Sequence, residues 1–256
     1  MMELVELFGE GLVVPFILLF SRFSALFLFT PIFSHANIPM NVKASMALFF
    51  TIFFYGSLPP INFEINSINI IIAILGEMLL GAIVGLILQL AYNVITFAGG
   101  IISFMMGFSL ASAIDPQTGV SMPIVSQFLA LLALMMLLTF DMHHWILMFV
   151  NTSISAIPLG GFMISENIFK YLLDAMANLF VVGFMIAFPI TALQLLADVI
   201  FGMLMKTMPQ FNLLVIGMPI KIAVSLLVIT AILASTLMIV VSQVESAYKY
   251  LERLLW

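Results

Sequence analysis

The chain is divided into long apolar runs, at 11–34, 40–58, 67–92, 94–113, 120–140, 145–160, 168–200 and 210–242, each near or beyond the length of a membrane span. A hydrocarbon core of about 30 Å needs roughly 20 apolar residues in a helix, because only a helix or a closed barrel satisfies its own backbone there. Turn chemistry separates the runs: Ser34-His35-Ala36-Asn37-Ile38-Pro39, Pro59-Pro60-Ile61-Asn62, Asp115-Pro116-Gln117-Thr118-Gly119, Asp141-Met142-His143-His144 and Pro158-Leu159-Gly160-Gly161. The expected class is an all-α integral membrane protein, a multi-helix hairpin bundle forming one membrane domain over 1–256.

Composition agrees: 64% of the 256 residues are hydrophobic and 7% charged, too few charges for a soluble surface. The formal charge of −5 and the absence of a Lys/Arg cluster argue against nucleic acid. No cysteine means no disulfide, thiolate chemistry or iron–sulfur ligation. Glu3, Glu6 and Glu10 give the N-terminus the wrong charge for a secretory signal, so the first run is expected to remain in the mature chain.

Two runs exceed a simple span. As straight helices, 168–200 and 210–242 would each reach roughly 50 Å. Pro189 in the first, and Gly217 with Pro219 in the second, predict kinks or a fold-back. Irregular backbone at membrane depth requires packing on protein or a cavity, so both runs point to protein partners. In 94–113 the small residues Gly99, Gly100, Ser103, Gly107, Ser109 and Ser112 permit close helix approach or bends. Gly81 and Gly85 form a small-xxx-small pair of a common packing type.

Ionisable groups inside apolar runs are costly, which singles out Arg22, Glu77, Asp174 and Asp198. They are read either as a proton or ion relay, or as groups facing a wet cavity, snorkelling or pairing with a neighbouring subunit; no pair stands at helical spacing. Asp141, His143 and His144 form no standard zinc spacing, and adjacent histidines on a helix diverge, so an interfacial loop beside Trp145 is expected rather than a metal site. No GxSxG, Walker A or dinucleotide fingerprint is present. Catalytic residues, cofactor sites and metal sites are therefore all expected to be absent. The 20 methionines are mostly packing material. Met105 and Met106, however, precede the apolar stretch Gly107-Phe108-Ser109-Leu110-Ala111-Ser112-Ala113-Ile114-Asp115-Pro116, whose composition suits a yielding pore seal.

Gly107 to Ala111 followed by Asp115-Pro116-Gln117-Thr118-Gly119 resembles the central signature of the FliR family, which includes injectisome relatives. Lys206-Thr207-Met208-Pro209-Gln210-Phe211-Asn212 leading to Gly217-Met218-Pro219 resembles the family's basic-x-x-Pro-Gln stretch and Gly-x-Pro. Arg22, Pro31 and Lys43 fit the N-terminal pattern. Family members often carry Arg where Lys206 stands, which keeps a charge but not a bidentate contact.

The resemblance implies one copy of this chain assembled with FliP and FliQ into an export gate in the bacterial inner membrane, within the flagellar basal body. FlhB and FlhA are the further implied partners, with unfolded export substrates and membrane lipid. It also implies a FliP-like part over about 1–165 and a FliQ-like part over about 166–256. Met105, Met106, Gly107, Phe108, Ser109, Leu110, Ala111, Asp115 and Pro116 would then belong to a pore plug, with Phe108 and Leu110 as stoppers and Gly107 and Gly119 as its ends. Lys206, Pro209, Gln210 and Asn212 would form a turn at the cytoplasmic entrance. Three rivals remain: the same gate subunit of an injectisome, a secondary transporter using Glu77, Asp198 and Pro189, and a membrane hydrolase using Asp141, His143 and His144.

Overall fold

The computed structural model describes residues 13–34, 38–56, 58, 67–108, 123–208 and 213–255. Among these residues the ordered elements are α1 (Val13–Phe29), α2 (Met40–Tyr55), α3 (Ser67–Met105), α4 (Ile124–Thr139), α5 (Met142–Ala156), α6 (Glu166–Thr207), a π-helical turn (Leu213–Gly217) and α7 (Met218–Leu255). The all-α expectation holds. Three helical stretches, Ile68–Met105, Glu166–Thr207 and Val215–Arg253, are long and apolar enough to cross a membrane, and α4 with α5 makes a fourth if the two form one broken span.

The runs 67–92 and 94–113 do not form separate helices. The first and the part of the second up to Met105 join in α3, which passes unbroken through Tyr92 and Asn93. Neither residue breaks a helix, and the Thr96 hydroxyl donates to the Asn93 carbonyl at 2.8 Å. Pro189 likewise lies inside the 42-residue α6, so 168–200 does not fold back on itself. Its missing N–H is absorbed within a helix whose ends suit the dipole, with Glu166 in the first turn and Lys206 in the last. Pro219 is the second residue of α7 and follows directly on the π-helical turn Leu213–Gly217, so the irregular backbone stands beside Gly217 and Pro219. Helix α7 outruns the apolar run ending at 242 because its polar tail still favours a helix, with Lys249 paired to Glu245 at i,i+4.

Local chemistry sets the other boundaries. Pro39 precedes α2 in an extended conformation, and its carbonyl accepts from the Val42 amide at 3.0 Å. Ile157 is extended at the end of α5 because Pro158 follows it. Helix α3 ends at Gly107, whose φ of +84° is the left-handed C-cap favoured by glycine.

Two compact units emerge. The first comprises 1–90, 138–173 and 244–256; the second comprises 91–137 and 174–243. In the first, α1 is almost wholly buried along one side; Phe23 stacks on Phe27 and on Phe50 of α2, and Phe27 meets Phe50 at a tilt. Trp145 meets Tyr248, and Tyr171 stacks on Tyr250. In the second, the Tyr92 hydroxyl donates to the Ala130 carbonyl and the Ser126 hydroxyl to the Thr96 carbonyl, tying α3 to α4. Gly183 of α6 lies against Phe97 of α3, where a Cβ would come within 2.6 Å of the ring.

Candidate functional site

Within the first unit, Glu77, Gly81, Gly85 and Gln89 recur every four residues and so line one face of α3. Each meets the segment that begins with α1 and continues through Ser34. The Arg22 side chain binds Glu77 through two bonds, Nε to Oε2 at 2.5 Å and Nη2 to Oε1 at 3.1 Å. A Cβ on Gly81 would collide with the Arg22 carbonyl and come 3.0 Å from the Ala25 Cβ; one on Gly85 would come 2.6 Å from the Phe29 Cβ. The Ser34 hydroxyl pairs with the Gln89 side-chain oxygen at 3.2 Å. The two glycines bring the backbones together, and that closeness delivers the guanidinium to the carboxylate.

The ion pair is sealed, with Arg22 and Glu77 side chains 1% and 0% exposed. A buried charge is tolerable only when paired and fully hydrogen-bonded. Arg22 also donates from Nη1 to the Ser153 hydroxyl at 3.1 Å and from Nη2 to the Ile157 carbonyl at 3.3 Å. Glu77 Oε1 accepts from the Gly160 amide at 2.8 Å. The network thus ties α1 and α3 to the end of α5 and the turn after it. The sequence singled out both residues but not their pairing, because the partners stand 55 positions apart; the clue was Glu77 one turn before Gly81.

In the second unit, the first four residues of the predicted plug are described. Met105 ends α3, Met106 is fully buried, Gly107 carries the positive φ, and Phe108 follows, partly buried. The methyl end of Met218, the first residue of α7, fills the space where a Gly107 Cβ would stand. Ser109, Leu110, Ala111, Asp115, Pro116 and Gly119 lie outside the described residues. Of the predicted entrance turn, Lys206 is exposed in the last turn of α6, while Pro209, Gln210 and Asn212 lie outside the described residues.

The α6–α7 seam carries a buried polar group that the sequence did not single out. Gln194 is fully buried and donates from Nε2 to the Lys221 carbonyl at 2.9 Å and to the Ser225 hydroxyl. One turn along, the Lys221 ammonium pairs with Asp198, which is half-exposed. Gln194 and Asp198, like Lys221 and Ser225, stand at i,i+4 spacing, so two turns of each helix face one another. Asp174 is exposed on α6.

Asp141, His143 and His144 are drawn together rather than splayed. Their ligand atoms lie within 4.8 Å of one another. Asp141 adopts a left-handed conformation with φ of +56° and does not cap α5 with its side chain. Its Oδ1 stands 3.4 Å from His144 Nδ1 instead.

The family model for bacterial export proteins, family 1, matches residues 13–247. The flagellar biosynthetic protein FliR of Bacillus subtilis is 33% identical over 235 residues, covering 90% of each chain. The FliR proteins of Pectobacterium carotovorum and Escherichia coli are 32% and 30% identical, over 84% and 83% of this chain and 82% and 81% of theirs. A match spanning both units, and including Arg22, Glu77, Gly107 and Met218, places this chain in bacterial export protein family 1, the family of the flagellar biosynthetic protein FliR.

Proposed function

We propose that the chain is a non-enzymatic core subunit of the flagellar type III export gate, building with FliP and FliQ a channel that passes unfolded flagellar proteins across the inner membrane. Family membership along nearly the whole chain carries the reading. FlhB and FlhA are the further partners in this proposal, and the flagellar basal body is its location. The FliP-like part covers about 1–165 and the FliQ-like part about 166–256; α6 beginning at Glu166, and the two long helices α6 and α7 that follow, support the division.

The extent of apolar surface supports assembly. Helix α6 is about 63 Å long at 1.5 Å per residue, twice a hydrocarbon core of about 30 Å. Only 33% of its most apolar window is buried within the chain. A helix of that length needs protein neighbours as well as lipid.

In this reading residues 105–116 plug the pore, with a root at Gly107 and Met218, and Lys206 with Pro209, Gln210 and Asn212 borders the cytoplasmic entrance. Deletion of 106–113 is expected to raise small-ion leakage while membrane levels of the gate stay normal. Unchanged impermeability with the assembly intact would remove the plug assignment.

A further inference from the structure

The side chains of the turn between α4 and α5 have no part in the export reading. Its sequence, Asp141-Met142-His143-His144, presents one carboxylate and two imidazoles. Asp141 is the residue before α5, where an aspartate ordinarily accepts hydrogen bonds from the first amides of the helix. Here it makes no such bond. The left-handed backbone at Asp141 turns the carboxylate toward His144, leaving Oδ1 and Nδ1 3.4 Å apart. That spacing is close to the edge of about 3.3 Å expected between ligands of a tetrahedral zinc ion with bonds of about 2.0–2.1 Å.

The second imidazole completes the set. The rings of His143 and His144 lie 4.1 Å apart at 37°, and the Nδ1 of His143 is buried without a hydrogen-bond partner. A buried imidazole nitrogen left unsatisfied is an uncommon feature that a ligand would relieve. All three donor atoms fall within 4.8 Å of one another, so small side-chain rotations bring them onto one ion. Asp141 and His144 are each more than 60% exposed, which leaves the site open to solvent.

The geometry points to a divalent metal site formed by Asp141, His143 and His144, suited to a first-row transition ion of the zinc class. One carboxylate and two imidazoles match the ligand preference of zinc, and three protein ligands leave a fourth position for water or another donor. The helix dipole at the start of α5 opposes a cation, and the Asp141 carboxylate offsets that opposition. The ion would staple the residue before α5 to its first turn.

The test is calorimetric titration of Zn²⁺ into the full chain purified with its membrane partners and stripped of metal, with His143→Gln/His144→Gln, His144→Gln and Asp141→Asn assemblies in parallel. The expected result is one more Zn²⁺ bound per assembly in wild type than in the double variant, and at least tenfold weaker binding at that site in each single variant. Co²⁺ in place of Zn²⁺ should give the intense visible bands of a four-coordinate ion in wild type alone. Equal stoichiometry and affinity in wild type and double variant would overturn the site and leave an adventitious ion only. Should the double variant fail to assemble, the two single changes at exposed positions decide the matter by the same comparison.

Discussion

The Arg22 guanidinium and the Glu77 carboxylate form a two-bond ion pair sealed from solvent, with neither side chain more than 1% exposed. Removing one partner leaves a buried charge uncompensated, which costs about 3–5 kcal/mol, whereas replacing both by apolar residues of similar size is often near neutral. Glu77→Ala and Arg22→Ala should each sharply reduce membrane levels and thermal stability of the assembled protein. Arg22→Met/Glu77→Leu should recover most of that loss, though not all, because the Gly160 amide and the Ile157 carbonyl lose partners. A double variant as damaged as the singles, by thermal unfolding of the purified complex, would show that the pair is not what stabilises this region.

The glycines of α3 should separate into two classes. A side chain at Gly85 meets the Phe29 Cβ at 2.6 Å, and overpacking of this kind costs about 1–3 kcal/mol. Gly100 has nothing within 4 Å of its added Cβ, and replacing a mid-helix glycine with alanine is worth up to about 1 kcal/mol. Gly85→Val should therefore lower the melting temperature while Gly100→Ala leaves it unchanged or raises it. Equal effects would contradict the close approach of α1.

Gly107 combines two demands. Its φ of +84° is costly for any residue with a Cβ, and the Met218 methyl occupies the Cβ position. Gly107→Ala should cost about 1–2 kcal/mol from the backbone conformation alone. Met218→Ala added to it should restore only the part caused by the clash. If the plug reading is right, Gly107→Ala should also raise ion leakage with the gate still assembled. Leakage at wild-type level in a normally assembled Gly107→Ala gate would count against a plug root here.

Asp198 is the half-exposed partner of a largely buried Lys221. Exposure discounts the pair, so Asp198→Asn should cost about 1 kcal/mol or less in stability. Gln194→Leu should cost more, about 1–3 kcal/mol, because it leaves the buried Ser225 hydroxyl without its side-chain partner. Thermal unfolding of the two variants side by side checks the order, and the reverse order would mean that the exposed charge dominates the seam.

Much of this was legible in the sequence. Apolar run length gave the helices, and Pro39, Pro158 and the aspartate at 141 marked real boundaries. The apparent break between 92 and 94 was absent because weak polarity at Tyr92 and Asn93 does not stop a helix. Pro189 was overridden by α6 on either side of it. Gly81 and Gly85 were read as packing residues without their partner, since spacing along one helix says nothing about which helix it meets. Arg22 with Glu77 and Gln194 with Ser225 are pairings made by tertiary structure, which no local pattern encodes. At the aspartate and paired histidines, helix geometry predicts divergence, yet the two rings lie 4.1 Å apart and the left-handed Asp141 sets its carboxylate beside His144.

The four-residue rhythm of Glu77, Gly81, Gly85 and Gln89 has a consequence for how α1 can be inserted at all. Sliding α1 by one turn would set a guanidinium opposite a glycine, strand a carboxylate in hydrocarbon and drive the Phe29 segment toward Gln89. Each faulty setting carries several penalties together, so α1 behaves like a cut key that turns at one depth. In a membrane, where apolar helices otherwise slip past one another with little to choose between positions, that single depth fixes α1 against α3 from within the chain itself.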